Sequence, residues 1–357
     1  MKTVLIGVGQ AGGKVTAALR EFDRDMGFDA IRGALAVNTA KADLKPLSTD
    51  TVLIGQDRVN GHGVGGDNEL GAEVMEADAG EVMSALDGRI TAEAEAIFVV
   101  AGLGGGTGSG GAPVLARELN RVYEIPVYAL GILPGADEGA MYQVNAGRSL
   151  KTLAREADAV LLIDNDAWRS SGESMEEGFQ AINEAIAQRV GLLMASGEAV
   201  EGVGESVVDT SEIINTLRAG GIASLGYGSA QAADDTDDNV NVVTSVTRNA
   251  LLTGASLPDA TAAETGLVVL AGRAENISRK GVERARSWIE DETGSMRVRG
   301  GDFPLDSDRI AALVLLGGVE RSSRVEAFMD RAKEAKEQEE REDPAEMFQA
   351  EELDDLI

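Results

Sequence analysis

Apolar residues follow two rhythms that alternate along the first half of the chain. KTVLIGVG (2–9), IRGALAVN (31–38), DTVLIG (50–55), AEAIFVVAG (94–102), PVYALGIL (126–133) and ADAVLLID (157–164) are short, almost unbroken apolar and β-branched runs. That is the pattern of strands covered on both faces. Between them GGKVTAALREFDRD (12–25), DNELGAEVMEADAGEVMSAL (67–86) and APVLARELNRVY (112–123) carry helical spacing. Strands alternating with helices predict a parallel sheet with helices on both faces over about 1–170.

A longer helix is predicted at 174–196, where Phe179, Ile182, Ile186, Val190 and Leu193 form one apolar stripe. It reads as a connector. Beyond it GIASLGYG, NVVTSVTRNALLTG, TGLVVLAG, KGVERARSWIEDE, SMRVRGGD and RIAALVLLGGV mix strand and helix patterns, so a smaller α/β domain is expected. The expected division is 1–173, a connecting helix at 174–196, a second domain at 197–320, and a charged helix with an acidic tail at 321–357. AADDTDDN (232–239) reads as a solvated loop.

Composition narrows the picture. The chain has 357 residues and 43% hydrophobic content, enough for two cores. It has no cysteine, which removes disulfide and thiolate chemistry and fits a reducing compartment. No apolar run approaches the roughly 20 residues of a membrane span, and MKTVLIGVGQAGG is too broken by glycine for a secretory signal. A cytoplasmic protein without membrane insertion is expected. With 32 basic and 61 acidic side chains the formal charge is −29, which argues against nucleic acid as a partner. Only eight of the basic residues are lysine. Such a surface suits concentrated salt, where the Debye length falls to about 3 Å and self-repulsion is screened.

The candidate chemistry lies in glycine. AGLGGGTGSGG (101–111) has seven glycines between a predicted strand and a predicted helix. GVGQAGGK (7–14) repeats the arrangement, and a third glycine turn, GHGVGGDN (61–68), follows the run at 50–55. Helix N-termini present unpaired N–H groups and a positive dipole end, and glycine admits a phosphate close to the backbone. Several such turns in one parallel sheet predict a di- or triphosphate at the strand C-termini. The G-x-G-x-x-G match at Gly7–Gly12 stands equally well for tight packing. A dinucleotide site would want an acid after the second strand, and Asn38 is there instead. Val15 and Val8 break a Walker A loop.

At these residues the chain resembles the tubulin/FtsZ superfamily of GTP-dependent filament proteins, and most of all its archaeal CetZ branch. GGGTGSG (104–110) is similar to the signature loop, and GQAGG (9–13) to the first phosphate loop. The resemblance runs over about 1–320. It implies GTP/GDP with Mg2+, held by Gly9, Gln10, Ala11 and Gly12 with Gln10 near the metal, and by Asn38 and Thr39. It also implies Gly65, Gly66 and Asp67 at the γ-phosphate, and Gly104, Gly105, Gly106, Thr107 and Gly108, with the Thr107 hydroxyl as a donor. Pro134 and Glu138 fall on the ribose loop, and Asn165, Phe179 and Asn183 on the guanine. In VVDTSEIINTL (207–217), Asp209 and Glu212 match the acids that complete the nucleotide site of the next subunit in a head-to-tail filament.

Two readings of those acids stand together. D-x-x-E before an apolar run is also a helix capping box. The chain departs from bacterial FtsZ at Val207, where an Asn is expected, at Tyr142, where an Arg is expected, and in lacking a long linker before the tail. The resemblance implies a GTPase that polymerises and controls cell shape; the alternative is a nucleotide-binding scaffold that does not hydrolyse. A dinucleotide oxidoreductase is a further alternative of another class. Met347, Phe348, Leu353 and Ile357 in the tail either dock a protein partner or belong to a solvated end. His62, the lone histidine, is expected to be exposed.

Overall fold

The computed structural model describes residues 1–167, 175–198, 207–235, 238–258 and 260–341. Among the described residues there are ten strands: β1 (Thr3–Val8), β2 (Ile31–Asn38), β3 (Asp50–Leu53), β4 (Ala96–Gly102), β5 (Val127–Leu133), β6 (Ala159–Asp164), β7 (Ile222–Gln231), β8 (Ala263–Gly272), β9 (Val298–Pro304) and β10 (Arg309–Val319). The helices are α1 (Gly9–Met26), α2 (Lys41–Leu44), α3 (Gln56–Val59), α4 (Asn68–Leu86), α5 (Gly106–Val122), α6 (Ala140–Glu156), α7 (Met175–Ser196), α8 (Thr210–Leu217), α9 (Asn239–Leu252), α10 (Arg279–Thr293) and α11 (Ser323–Arg341).

One mixed sheet holds them in the order β3-β2-β1-β4-β5-β6-β7-β10-β8-β9. The first six strands are parallel, as the alternating pattern predicts. The second half does not build a separate sheet. It joins through β7, which runs parallel to β6 over only Val160↔Ile222 and Leu161↔Ala223. β10 then pairs antiparallel with β7 and with β8, and β9 adds parallel to β8.

Three apolar clusters hold the layers together. One lies under α1 and α7, where Ile182, Ile186, Val190 and Leu193 are buried as the stripe predicts. A second lies on the other face under α4, α5 and α6, with Phe328 of α11 closing it. A third joins α9 and α10 to β8, β9 and β10. Burial of each such Leu or Ile contributes about 1.5–3 kcal/mol. Phe179 departs from the stripe: it is 39% exposed, beyond the end of that core.

Two helices begin earlier than the sequence pattern indicates. α1 starts at Gly9 rather than residue 12, and α5 at Gly106, inside the glycine run. Glycine's low helix propensity hides these first turns, and close packing against neighbouring backbone stabilises them. β3 ends at Leu53, short of the expected 55, with one last ladder bond from the Ile54 N–H to the Asn38 carbonyl. Of the expected acidic loop, Asp234 and Asp235 are exposed, and Asn239 is buried at the start of α9. The tail with Met347, Phe348, Leu353 and Ile357 lies outside the described residues.

Candidate functional site

At the C-terminal ends of β1, β4, β5 and β6 the glycine turns and the first turns of α7 enclose a cavity of about 410 Å3. Every residue named above for GTP or Mg2+ lines it except Gly12, Thr39 and Asp67. Gly12 is held by packing, since a Cβ there would lie 2.1 Å from the Val100 carbonyl oxygen. Asp67 is the N-cap of α4: its Oδ1 accepts the N–H groups of Glu69 and Leu70, both at 3.0 Å. It stands next to Gly66, which does line the cavity.

The glycines divide by what surrounds them. A Cβ on Gly106 would strike Val64 and Asp67, one on Gly108 the Gly102 carbonyl at 2.7 Å, and one on Gly110 the Asn68 carbonyl at 2.0 Å. These are close-packing glycines that let α5 lie against α4 and β1. Gly9 has φ +75 and a Cβ there would lie 2.8 Å from the Gly108 nitrogen, so the two glycine loops are packed on each other. Gly105 is different. A Cβ there meets nothing within 4 Å and its φ is −75, so neither packing nor backbone explains its bareness; Gly65 is as open, but its φ of +62 itself favours glycine. Both line the cavity.

At the other end of the cavity stand Asn165, Phe179 and Asn183. Asn165 opens a short 3-10 turn straight after β6 and is 7% exposed. Its Oδ1 is buried with no hydrogen-bond partner among the described residues. Such an orphan costs about 1–3 kcal/mol unless something else donates to it. Phe179 and Asn183 are four apart and share a helix face. An exposed ring, an Asn amide and a buried acceptor form a set that fits a flat heterocycle with its own hydrogen-bonding edge.

The polar wall between these ends is already organised. Asn38 Oδ1 accepts the N–H groups of Thr39 and Ala40 at 2.8 and 3.2 Å. Its Nδ2 donates to Asp43 Oδ2 at 3.2 Å, and Gln10 Nε2 donates to Asp43 Oδ1 at 3.1 Å. The Thr107 hydroxyl is paired with that of Thr39 at 2.7 Å, a bond in which either oxygen can be the donor. Glu138 Oε1 accepts the Gly135 N–H at 2.7 Å, which fixes the loop after β5 beside Pro134. The Tyr142 ring lies against Gly104, a Cβ on which would sit 3.2 Å from it.

Sequence reasoning missed two charged lining residues, Lys14 and Asp43. Lys14 follows Gln10 by one helical turn, a signal set aside when the Walker spacing failed. Asp43 sits on α2, too short to show periodicity. His62 is exposed as expected, yet it lines the cavity. The described residues contain no cluster of three or more His, Cys, Asp or Glu fit to hold a metal. The oxygens of Gln10 and Asp43 fit a Mg2+ that takes most of its ligands from phosphate and water.

The acids of the second half-site lie elsewhere. Asp209 caps α8, its Oδ1 accepting the Glu212 N–H at 3.1 Å, while the Glu212 carboxylate accepts the Asp209 N–H. The capping box is therefore complete. The Ser211 hydroxyl, at 2.6 Å, and the helix N–H groups hold the Asp209 carboxyl below the usual range. Burial pushes Glu212 up, and so does the charge of Asp209; the Asp209 N–H and Arg299 pull it back. Thr210 fixes the location: its hydroxyl meets Glu95 Oε2 at 3.0 Å and the Gly197 carbonyl at 2.9 Å. Glu95 immediately precedes β4, so α8 starts at the edge where β1 and β4 begin. The cavity lies where those strands end, about 20 Å away for six residues at about 3.3 Å each.

Two family models cover the chain in succession: the tubulin/FtsZ family GTPase domain over residues 2–173 and the tubulin-like CetZ C-terminal domain over 172–334. The tubulin-like protein CetZ2 of Haloferax volcanii is 73% identical across the whole length of both chains. Its structure, a GTPγS-bound protofilament, superposes with a TM-score of 0.92 over 95% of this chain and all of that one. CetZ1 of Haloferax volcanii, a GDP-bound monomer, is 50% identical with a TM-score of 0.87 over 94% of this chain and all of its own. No helix of the described residues is long and apolar enough to cross a membrane. With the tubulin/FtsZ fold, both family models and a relative matched end to end, this chain belongs to the CetZ family of tubulin-like proteins.

Proposed function

We propose that the chain binds GTP in the cavity, stacks head to tail with copies of itself, and hydrolyses GTP at the joint, where Glu212 of one subunit meets the nucleotide of the next. One observation carries this reading. The candidate acids and the candidate cavity stand at opposite strand edges, about 20 Å apart, which no side chain spans. A second copy, stacked edge on edge, brings them together. Such a contact joins unlike surfaces and does not close, so it propagates as a filament. The relatives' protofilament and nucleotide-bound forms agree with it.

Each part then has a role. Backbone N–H groups of Gly104–Gly108 and of Gly9–Ala11 cradle the phosphates at two helix starts. Gly65 and Gly66 bring a bare turn to the terminal phosphate. Glu138 meets the ribose; Asn165, Phe179 and Asn183 read guanine. Gln10, steadied by Asp43, faces Mg2+, which when bound neutralises phosphate charge. Glu212 orients and deprotonates the attacking water, with Asp209 holding its helix and adding negative charge. Phosphoryl transfer needs positioning and charge stabilisation above all. The same reading places the protein in the cytoplasm, in concentrated salt, and gives it a role in cell shape, with the acidic tail free to meet a protein partner.

The test is phosphate release from GTP with Mg2+ in molar KCl over a protein dilution series. Turnover per subunit rising with concentration is expected, because the site is shared. Turnover independent of concentration contradicts a shared site. Glu212→Ala is expected to lower turnover about 100-fold or more while GTP still binds. Retained binding with no turnover in the parent chain supports a non-hydrolysing scaffold instead.

A further inference from the structure

Glu212 opens into a second cavity, of about 1180 Å3, between α8, β9 and α10. Arginines 279, 286 and 299 line it with Glu212. The first two are held by acids on their own helix: Arg279 by Glu283 at 3.0 Å and Arg286 by Glu290 at 4.0 Å. Arg299, exposed on β9, has no such ion pair among the described residues. β9 is also the strand that holds the acid-bearing segment. Val207 bridges to Asp302, and the Val208 N–H donates to the Asp302 carbonyl at 3.2 Å. Arg299 and the segment leading into Asp209 are thus parts of one backbone unit.

We propose that Arg299 is a positioning residue of the trans half-site, its guanidinium setting the Glu212 carboxylate at the mouth of the cavity that both line. The inference rests on the reading of Glu212 given above. A carboxylate drawn half out of water needs a compensating cation to stay ionised. Around Glu212 stand Asp209, the cap of its helix, with Arg299 and Asp302 on β9 and Arg279, Glu283 and Arg286 on α10. Of these, Asp209 and Arg299 act on it electrostatically, in opposite directions. Because Glu212 is partly buried, salt screens this pair less than an exposed one.

The pH profile of GTP turnover decides it, measured at one salt concentration on the full chain, with assembly on GTPγS followed in parallel. In Arg299→Gln the acid limb is expected to move up by about 0.5–1 pH unit. The high-pH plateau and assembly stay near the parent values, and Arg299→Lys restores the limb. A coincident profile overturns the proposal. So does a plateau lowered throughout with the limb unmoved, which puts Arg299 on the nucleotide itself, and so does loss of assembly, which makes it a contact between subunits. Glu212→Gln separates the two readings: if it turns over with the parent's acid limb, the role of Glu212 falls, whatever Arg299 does.

Discussion

Gly105 and Gly110 lie in one run of glycines and meet opposite demands. A methyl at Gly110 would intrude to 2.0 Å from the Asn68 carbonyl, whereas one at Gly105 would meet open space in the cavity. Gly110→Ala is therefore expected to cost about 1–3 kcal/mol, seen as a lowered midpoint in urea. Gly105→Ala is expected to leave that midpoint within about 0.5 kcal/mol and to weaken GTP binding in a titration. Asn165 gives a parallel case. Its buried Oδ1 has no partner to lose, so Asn165→Ala should hardly alter stability. It should instead narrow the preference for GTP over ATP, about 10-fold or more, in competition binding. Glycine spacing made the candidate phosphate loops legible in the sequence. Which glycines pack and which face a ligand was not legible, because that depends on carbonyls brought from α4 and β4. Asp43 was hidden for a similar reason: its two amide partners come from α1 and from the end of β2.

At the scale of elements, α8 separates a structural from a chemical use of one residue. Asp209 caps the helix, and under the proposed function it also supplies charge to the half-site. Asparagine caps as well as aspartate does, and alanine does not. Asp209→Asn is expected to keep the melting temperature while lowering turnover. Asp209→Ala should lower both, with about 1 kcal/mol lost from stability. Equal turnover in the parent and the Asn variant would leave Asp209 a cap alone. The D-x-x-E pattern predicted this helix start correctly, since a cap is a local matter of four residues. The starts of α1 and α5 escaped local reading because glycine there obeys tertiary contact rather than propensity.

Across the whole molecule, charge and topology act together. A formal charge of −29 on 357 residues opposes both folding and stacking until salt screens it. Melting temperature is expected to rise from about 0.2 M to about 2 M KCl, and filament assembly with it. A flat response would show that the acids are already neutralised by neighbours. The alternation of strands and helices foretold the six parallel strands. It did not foretell that β7 would fuse the second half onto the same sheet, because only two residue pairs make that seam.

The packing glycines have a consequence for descent. Gly106, Gly108 and Gly110 are fixed by the carbonyls and side chains they press against, whether or not a nucleotide is present. A lineage that gave up GTP would go on inheriting most of its signature, because selection for folding alone would keep it. Across such relatives the loop marks ancestry. The position that would drift first is Gly105, where neither packing nor a left-handed backbone keeps a side chain out.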